Sequence, residues 1–340
     1  MQYKLLGKSG LKVSELCLGT MGLGTEWNWG ADKETSFAIL DKFANAGGNF
    51  IDTANRYTDG TSEKFIGEFM QQNDRDYFVV ATKYSLHDNL TNPNASGNNR
   101  KNMMRSVEES LKRLQTDFID LFYLHIWDNL TPIDEVMRAL DDLVRQGKVN
   151  YIGISDTPAW IISKGNTMAE LMGWSQFVAL QVEYSLIQRT PERELIPMAK
   201  HYGFTVTPWA PLAGGALTGK YLKGDKGRLP DNSKRLNERS TAITKEVVAI
   251  AEELGVQPSH VALKWTMQQS FSSIPIVGAT KLLQLEENLN AINATLSAEQ
   301  IERLNQVSSI ELGFPHDFLN EPGVKQVTFG GFYDKIEKRK

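Results

Sequence analysis

The sequence predicts an α/β protein, a single (β/α)8 TIM barrel with a C-terminal tail near the barrel mouth, on three observations. Strand-like runs alternate with amphipathic stretches eight times along the 340 residues, which marks repeated βα units rather than segregated sheets and helices. Polar residues with chemistry to offer stand at or just beyond the ends of those runs, where a parallel barrel gathers its active groups. The competing doubly wound open sheet needs a topological switch point and usually a glycine fingerprint, and neither is found. The barrel is expected over residues 1–310 and the tail, a candidate cover for the mouth, over 311–340.

The expected strands lie near 15–19, 49–53, 78–83, 119–125, 149–155, 177–183, 204–209 and 273–278. Runs such as Asn49-Phe50-Ile51 and Ile119 to Leu124 are short, β-branched or aromatic, and too brief for ordinary helices. Helices are expected near 33–46, 62–72, 101–114, 133–146, 159–172, 192–201, 244–269 and 282–291. Gly47-Gly48 and Gly147 stop two of them, and Thr131-Pro132 opens another. In the third, Met104, Val107, Leu111 and Leu114 share one stripe and are assigned to the core. Residues 223–240, rich in Lys, Arg and Gly, read as a mobile surface loop, and the chain beyond 310 reads as irregular.

Composition narrows the function. With 41% hydrophobic and 23% charged residues and a net charge of −4, the chain is an ordinary soluble globular protein with ample core and no basic surplus for nucleic acid. Met1 to Gly7 contains no long apolar segment, so neither a signal peptide nor a membrane span is expected, and the expected location is cytoplasmic. Cys17 is the single cysteine, which excludes a disulfide within the chain and makes the sequon Asn129-Leu130-Thr131 a chance match. Five histidines without an HExxH pattern or paired cysteines predict no metal site.

Two glycine-rich stretches mimic nucleotide motifs and fail in detail. Gly22-Leu23-Gly24 is followed by Thr25-Glu26-Trp27, so the third glycine of a dinucleotide fingerprint is missing. Gly214 to Lys220 fits the first part of a P-loop, but Tyr221 occupies the position that needs a hydroxyl on magnesium. Exposed N–H groups in that second loop remain suited to an anion.

Asp52, Tyr57, Lys83 and His125 each lie at or just past a strand end. Each alone reads most simply as a satisfied polar group. If the strands are parallel neighbours the four converge, and a phenol beside an ammonium, with a carboxylate holding the ammonium and an imidazole alongside, can protonate a carbonyl oxygen under reduction. Ser155-Asp156, Gln181 and Trp209 stand at the ends of the next three strands.

These residues sit in motifs that resemble the aldo-keto reductase family: Phe50-Ile51-Asp52-Thr53-Ala54 with Tyr57 and Ser62 to Gly67; Ala81-Thr82-Lys83; Asp117 to Leu121 running to His125; Gly147-Lys148-Val149 with Gly153-Ile154-Ser155; Gln181 with Tyr184-Ser185-Leu186; and Gly278 to Lys281 with Glu286 to Leu289. Together they span residues 3 to about 310, and several motifs in the right order are far more specific than any one. Asp156-Thr157-Pro158-Ala159-Trp160 is similar to the microbial aryl-alcohol-dehydrogenase-like branch.

The resemblance implies hydride transfer from a reduced nicotinamide to an aldehyde or ketone, with Tyr57 as proton donor. A free phenol has a pKa of about 10 and needs a nearby cation to work near neutrality. Lys83 supplies it, Asp52 fixes and neutralises Lys83, and His125 orients the carbonyl. The resemblance further assigns Ser155, Asp156 and Gln181 to the nicotinamide carboxamide and Trp209 to its ring face. Gly19, Thr20, Met21, Ala210 and Pro211 also fall among the cofactor contacts, with Leu212, Gly214, Leu217 and Lys220 over the pyrophosphate. Asp156 departs from the family's usual asparagine, and a carboxylate accepts from an amide but cannot donate to it. On the adenosine side stand Gly278, Thr280, Lys281, Gln284, Glu287 and Asn288. Many relatives carry an arginine at the Gln284 position, which weakens the case for a 2′-phosphate, while Lys281 offers a point charge, so NADPH is favoured over NADH.

The expected partner is a small-molecule carbonyl compound, an aromatic aldehyde being a candidate, with no nucleic acid, membrane or metal. Trp27, Trp29 and Trp127, with Phe314, Phe318 and Phe329 from the tail, are candidates to line the substrate cleft. Some barrels of this family are regulatory subunits of potassium channels that bind cofactor as redox sensors; they carry a different residue at the His125 position. A barrel glycosidase needs paired carboxylates, for which Asp52 and Asp156 can be nominated, but it leaves the lysine and tyrosine without a role.

Overall fold

The computed structural model describes residues 1–230 and 232–337. An antiparallel hairpin opens the chain, β1 (Tyr3–Leu5) on β2 (Lys12–Ser14). Eight parallel strands follow: β3 (Cys17–Gly19), β4 (Phe50–Asp52), β5 (Val79–Tyr84), β6 (Ile119–Leu124), β7 (Val149–Ser155), β8 (Phe177–Glu183), β9 (Thr205–Trp209) and β10 (Ile276–Gly278). Their order is β10-β3-β4-β5-β6-β7-β8-β9. The ring closes just before β10, where Val206 N donates to Ser272 O at 2.8 Å and Ile274 N to Val206 O at 2.9 Å.

The helices between strands are α1 (Lys33–Asn45), α2 (Thr61–Met70), α3 (Arg100–Leu114), α4 (Ile133–Arg145), α5 (Ala159–Met172), α6 (Leu195–Tyr202), α7 (Glu238–Leu254) and α8 (Pro258–Met267). After β10 come α9 (Leu282–Asn290), α10 (Ala298–Val307), α11 (His316–Asn320) and α12 (Pro322–Phe329). Short polar residues set several starts: Asp32 caps α1, Asn99 caps α3, and capping boxes Asn237/Ser240 and Ser297/Gln300 open α7 and α10.

Strand periodicity explains why the functional side chains meet. Cys17, Phe50, Val79, Ala81, Leu121, Tyr123, Ala179 and Ile276 form an inner apolar cluster with Leu6 and Val13 of the hairpin, which stops the barrel at the strands' N-terminal ends. The alternate residues Leu18, Ile51, Val80, Phe122, Leu180, Val206 and Val277 face outward into the core shared with the helices. Two residues beyond the inner set, the same face carries Asp52, Lys83, His125, Ser155, Gln181 and Trp209.

Inside the barrel Gly153 is fixed by its neighbour. A Cβ there would stand 2.4 Å from Cε1 of Tyr123, a ring anchored by its hydroxyl to Thr207 Oγ1 at 3.1 Å. Gly153→Ala is therefore expected to destabilise the fold by about 1–3 kcal/mol, the cost of overpacking a filled core. Urea unfolding checks this as a lower midpoint at unchanged slope; an unchanged midpoint would mean that the ring shifts freely.

The structure corrects several sequence expectations. The helix expected over 244–269 is two helices, because Gly255 adopts φ 63° and ends α7 while Pro258 opens α8. The fully buried face of α3 is Met103, Val107 and Leu114 with Ser106 and Ser110; Met104 and Leu111 are half-buried at the edge of the core. The helix expected at 192–201 begins at Leu195, after a 3-10 turn at Thr190–Glu192. Beyond 310 the chain is not irregular but holds α11 and α12, helices with no buried residue and hence no apolar stripe to announce them. Within 223–240, α7 already begins at Glu238.

Candidate active site

Lys83 lies at the centre. Its side chain is fully buried, and Nζ donates to Asp52 Oδ2 at 2.7 Å, to Thr53 O at 2.8 Å and to the Tyr57 hydroxyl at 3.0 Å, which uses all three ammonium protons. The other Asp52 oxygen accepts from Gln181 Nε2 at 2.8 Å. The carboxylate is thus held from both sides of the barrel.

Tyr57 reaches Lys83 from a tight turn after β4. Thr58 and Asp59 there take left-handed backbone (φ 45° and 53°), stabilised by Thr58 Oγ1 donating to Leu23 O at 2.6 Å and accepting from Ser62 N at 3.1 Å. An Arg56–Asp59 ion pair closes the outer side. Thr20 fastens the strand end, its hydroxyl donating to Asp52 O at 2.8 Å. The sequence therefore spends Thr20, Thr58 and Ser62 on the position of one phenol.

Burial pushes the Tyr57 phenol up and Lys83 draws it back, so it remains protonated at neutral pH. For Lys83, burial disfavours the charged form, but Asp52 and Tyr57 together hold the ammonium above its ordinary range. His125 stands beside them, its ring edge-on to Tyr57 with centroids 5.9 Å apart. Burial and then the Lys83 charge hold its imidazole well below the usual histidine range, so it is neutral and carries one ring N–H able to donate.

Further round the rim, Asp156 adopts φ 35° and its Oδ1 accepts from Trp209 Nε1 at 3.2 Å. Burial, with Glu183 nearby, raises this carboxyl. Three side chains near the strand ends carry buried polar atoms without partners among the described residues: Ser155 Oγ, His125 Nδ1 and both amide atoms of Asn55. Such orphans are costly in a folded protein and mark where a ligand's polar groups fit.

Three of the expected adenosine-side residues also hold the protein's own groups. Gln284 Oε1 accepts from Thr280 N at 3.0 Å, Glu287 accepts from Ser259 Oγ at 2.5 Å, and Asn288 donates to Gly278 O at 3.4 Å, so these three brace the β10 exit. Lys281 is exposed. Met21 and Leu212 are half-buried; Pro211 and Leu217 are buried. Gly214 and Gly215 turn with φ 69° and 92° between Ala210 and Lys220, and Gly19 packs against Ile276. Trp27 and Trp29 pair at 6.1 Å, whereas Trp127 is buried and edges a cavity of about 420 Å³ with Leu86, Pro93, Ile126 and Leu130. Phe314, Phe318 and Phe329 are exposed, the first two in tilted contact with ring centroids 5.9 Å apart. The tail is tied to the segment after β8, where Arg193 donates to Glu311 O and His316 meets Glu194.

Sequence reasoning missed Asn55, whose backbone N donates to Lys83 O at 3.1 Å. A polar residue two places before Tyr57 in a buried strand exit was its available signal. It also missed the Thr53 carbonyl, which no sequence feature reveals. Among the described residues no group of three metal-ligating side chains exists, and no helix is long and apolar enough to cross a membrane.

A family model described as "Aldo/keto reductase family" matches residues 15–309. The chain belongs to the aldo/keto reductase family. It is 41% identical to an aryl-alcohol dehydrogenase [NADP(+)] of Phanerodontia chrysosporium, over 96% of this chain and 91% of that protein. An aryl-alcohol dehydrogenase of Pestalotiopsis microspora is 37% identical over all of this chain and 92% of its own length. A norsolorinic acid reductase of Aspergillus flavus is 37% identical over 94% and 84%. This aldo/keto reductase is an oxidoreductase of the aryl-alcohol-dehydrogenase-like branch.

Proposed function

We propose that this aldo/keto reductase uses NADPH to reduce aldehydes and ketones to alcohols reversibly, with aromatic aldehydes as its main substrates and Tyr57 as proton donor. The observation that carries this reading is the buried Lys83 ammonium shared between Asp52 and the Tyr57 phenol. Reduced nicotinamide supplies the hydride when bound. Tyr57 gives its hydroxyl proton to the carbonyl oxygen, and Lys83, kept charged by Asp52 and the Thr53 carbonyl, offsets the charge left on the phenol oxygen. Neutral His125 donates an N–H to the same carbonyl oxygen and orients it. In the reverse direction Tyr57 takes the proton back.

The residues fit the coenzyme. Orphaned Ser155 Oγ faces no protein partner, and Gln181, its amide nitrogen spent on Asp52, keeps its oxygen to accept from the carboxamide. Trp209, held by Asp156, offers its ring face, and the left-handed Gly214-Gly215 turn, flanked by Lys220 and Arg235, suits the diphosphate by its charge. With Gln284 engaged by Thr280, recognition of a 2′-phosphate rests on Lys281. The NADP(+) in the name of the Phanerodontia relative supports NADPH, and the two aryl-alcohol names support an aromatic substrate. Purified protein with NADPH or NADH and a panel of aromatic and aliphatic aldehydes tests this by the near-ultraviolet absorbance of the reduced coenzyme. Coenzyme binding without any turnover would point instead to a redox-sensing subunit.

Asp156 permits a sharper test. Asparagine keeps an acceptor for Trp209 Nε1 and adds a donor for the carboxamide oxygen, whereas the native carboxyl loses its only proton as pH rises through its raised pKa. Asp156→Asn is expected to tighten coenzyme binding by roughly 2- to 10-fold at neutral pH, the worth of one hydrogen bond. It should also flatten the pH dependence of binding across the carboxyl's titration. Fluorescence titrations at several pH values check both; an unchanged pH profile would remove Asp156 from the carboxamide.

A further inference from the structure

We propose that Asn98 and Asp128 are positioning residues that together aim His125 at the carbonyl oxygen; the inference rests on the role given to His125 above. Little else directs that imidazole. Its Nδ1 is buried without a partner among the described residues, whereas a catalytic histidine is often oriented by a carboxylate or carbonyl on that nitrogen. The direction of its N–H is therefore set by the edge-on contact with Tyr57 and by where the backbone places residue 125.

That backbone is pinned from the loop after β5. His125 N donates to Tyr84 O at 3.0 Å, and Ile126 N donates to Ser85 Oγ at 3.0 Å. Ser85 takes φ 107°, a backbone that a serine keeps only where its surroundings hold it. Asn98, fully buried near the end of the same loop, clasps the next turn. Its Nδ2 donates to Ile126 O at 2.9 Å, its Oδ1 accepts from Asp128 N at 2.8 Å, and its own N donates to Asp128 Oδ2 at 2.7 Å. Its carbonyl accepts from the Tyr84 hydroxyl at 3.2 Å, so every polar group of Asn98 is engaged here. Asp128 closes the clasp from the other side, accepting from Leu130 N, Thr131 N and the Thr131 hydroxyl. Burial alone would raise its carboxyl, but the N–H groups of Thr131, Asn98 and Leu130 hold it below its ordinary range, so it is ionised and its hydrogen bonds are of the stronger, charge-assisted kind.

Apolar packing does not duplicate the clasp. Leu86, Pro93, Ile126 and Leu130 line a cavity of about 420 Å³ between the two loops instead of filling it, and Leu130 is 87% exposed. Below the loops, β5 and β6 stay paired up to Tyr84 and Leu124. Loosening the clasp is therefore expected to shift the turn that carries His125 and to leave the barrel in place.

The full chain, Asn98→Ala, His125→Phe and the double variant are compared in single-turnover reduction of benzaldehyde by NADPH. Asn98→Ala should slow reduction about 10- to 100-fold, as misplacing a reacting group by up to about 1 Å does. Coenzyme affinity, read by tryptophan fluorescence, and the circular dichroism spectrum should not change. In the His125→Phe background the same substitution should cost nothing further, because the group it aims is gone. Asp128→Asn, which keeps the shape and gives up the charge, should follow the same pattern with a smaller loss, and it carries the test should Asn98→Ala fail to fold. Equal losses with and without His125 would make the clasp a general support of the fold and overturn the proposal. A rate unchanged by Asn98→Ala while His125→Phe is slow overturns it as well. A His125→Phe variant as fast as the parent overturns instead the role of His125 beneath it.

Discussion

Tyr57→Phe is expected to lower kcat/KM for aldehyde reduction by about 10²- to 10⁴-fold, the range that positioned general acids contribute, while leaving coenzyme affinity nearly unchanged. The phenylalanine keeps the ring beside His125 and removes one oxygen, so the loss reports the proton and not the packing. Lys83 gives up its 3.0 Å contact but keeps Asp52 and the Thr53 carbonyl, so the fold should lose only about 0.5–1.5 kcal/mol. The pH dependence has a definite sign. Burial raises the Tyr57 phenol, and reduction needs it protonated, so the reductive rate should hold through neutral pH and fall as pH rises through the phenol's pKa. Alcohol oxidation needs the phenolate and should rise over the same range. Steady-state kinetics in both directions, fluorescence titration of coenzyme and denaturant unfolding give the four quantities. Retained turnover in the variant would assign the proton to another group, His125 being the nearest.

The barrel was legible because its information is local and periodic. Most strands are short β-branched or aromatic runs whose inner face ends in a side chain with chemistry to offer, so Asp52, Lys83, His125, Ser155, Gln181 and Trp209 could be placed on one rim from spacing and parallel order alone. What spacing cannot supply is partner choice. Gln181 was read as a carboxamide ligand, yet its amide nitrogen binds Asp52 across the barrel, a contact between residues 129 apart in sequence. Gln284 and Glu287 match the adenosine-side motif, and spacing does not reveal that one oxygen of each also accepts from Thr280 or Ser259. The two tail helices bury no residue, so no periodicity could report them, and the break between α7 and α8 was written in Gly255 and Pro258 but masked by apolar residues on both sides.

Lys83→Met separates what the ammonium does for the fold from what it does for the reaction. The change leaves Asp52 buried with Gln181 as its remaining side-chain donor, and breaking a buried pair from one side typically costs about 3–5 kcal/mol. In the unaltered protein the raised ammonium pKa means that this stabilisation is fully present below about pH 10, the ordinary lysine range, and is lost only as pH rises through the folded value. Adding Asp52→Leu removes the stranded charge and should recover most of the lost stability, since an apolar replacement of a whole buried pair is often neutral. Activity should not return, because the Tyr57 phenol still lacks the cation that draws its pKa down. Denaturant unfolding at several pH values and single-turnover reduction rates on the three proteins distinguish the roles. Stability and turnover recovering together would make the pair a purely structural clamp, and stability unchanged by Lys83→Met would mean that water or a neighbouring group already compensates Asp52.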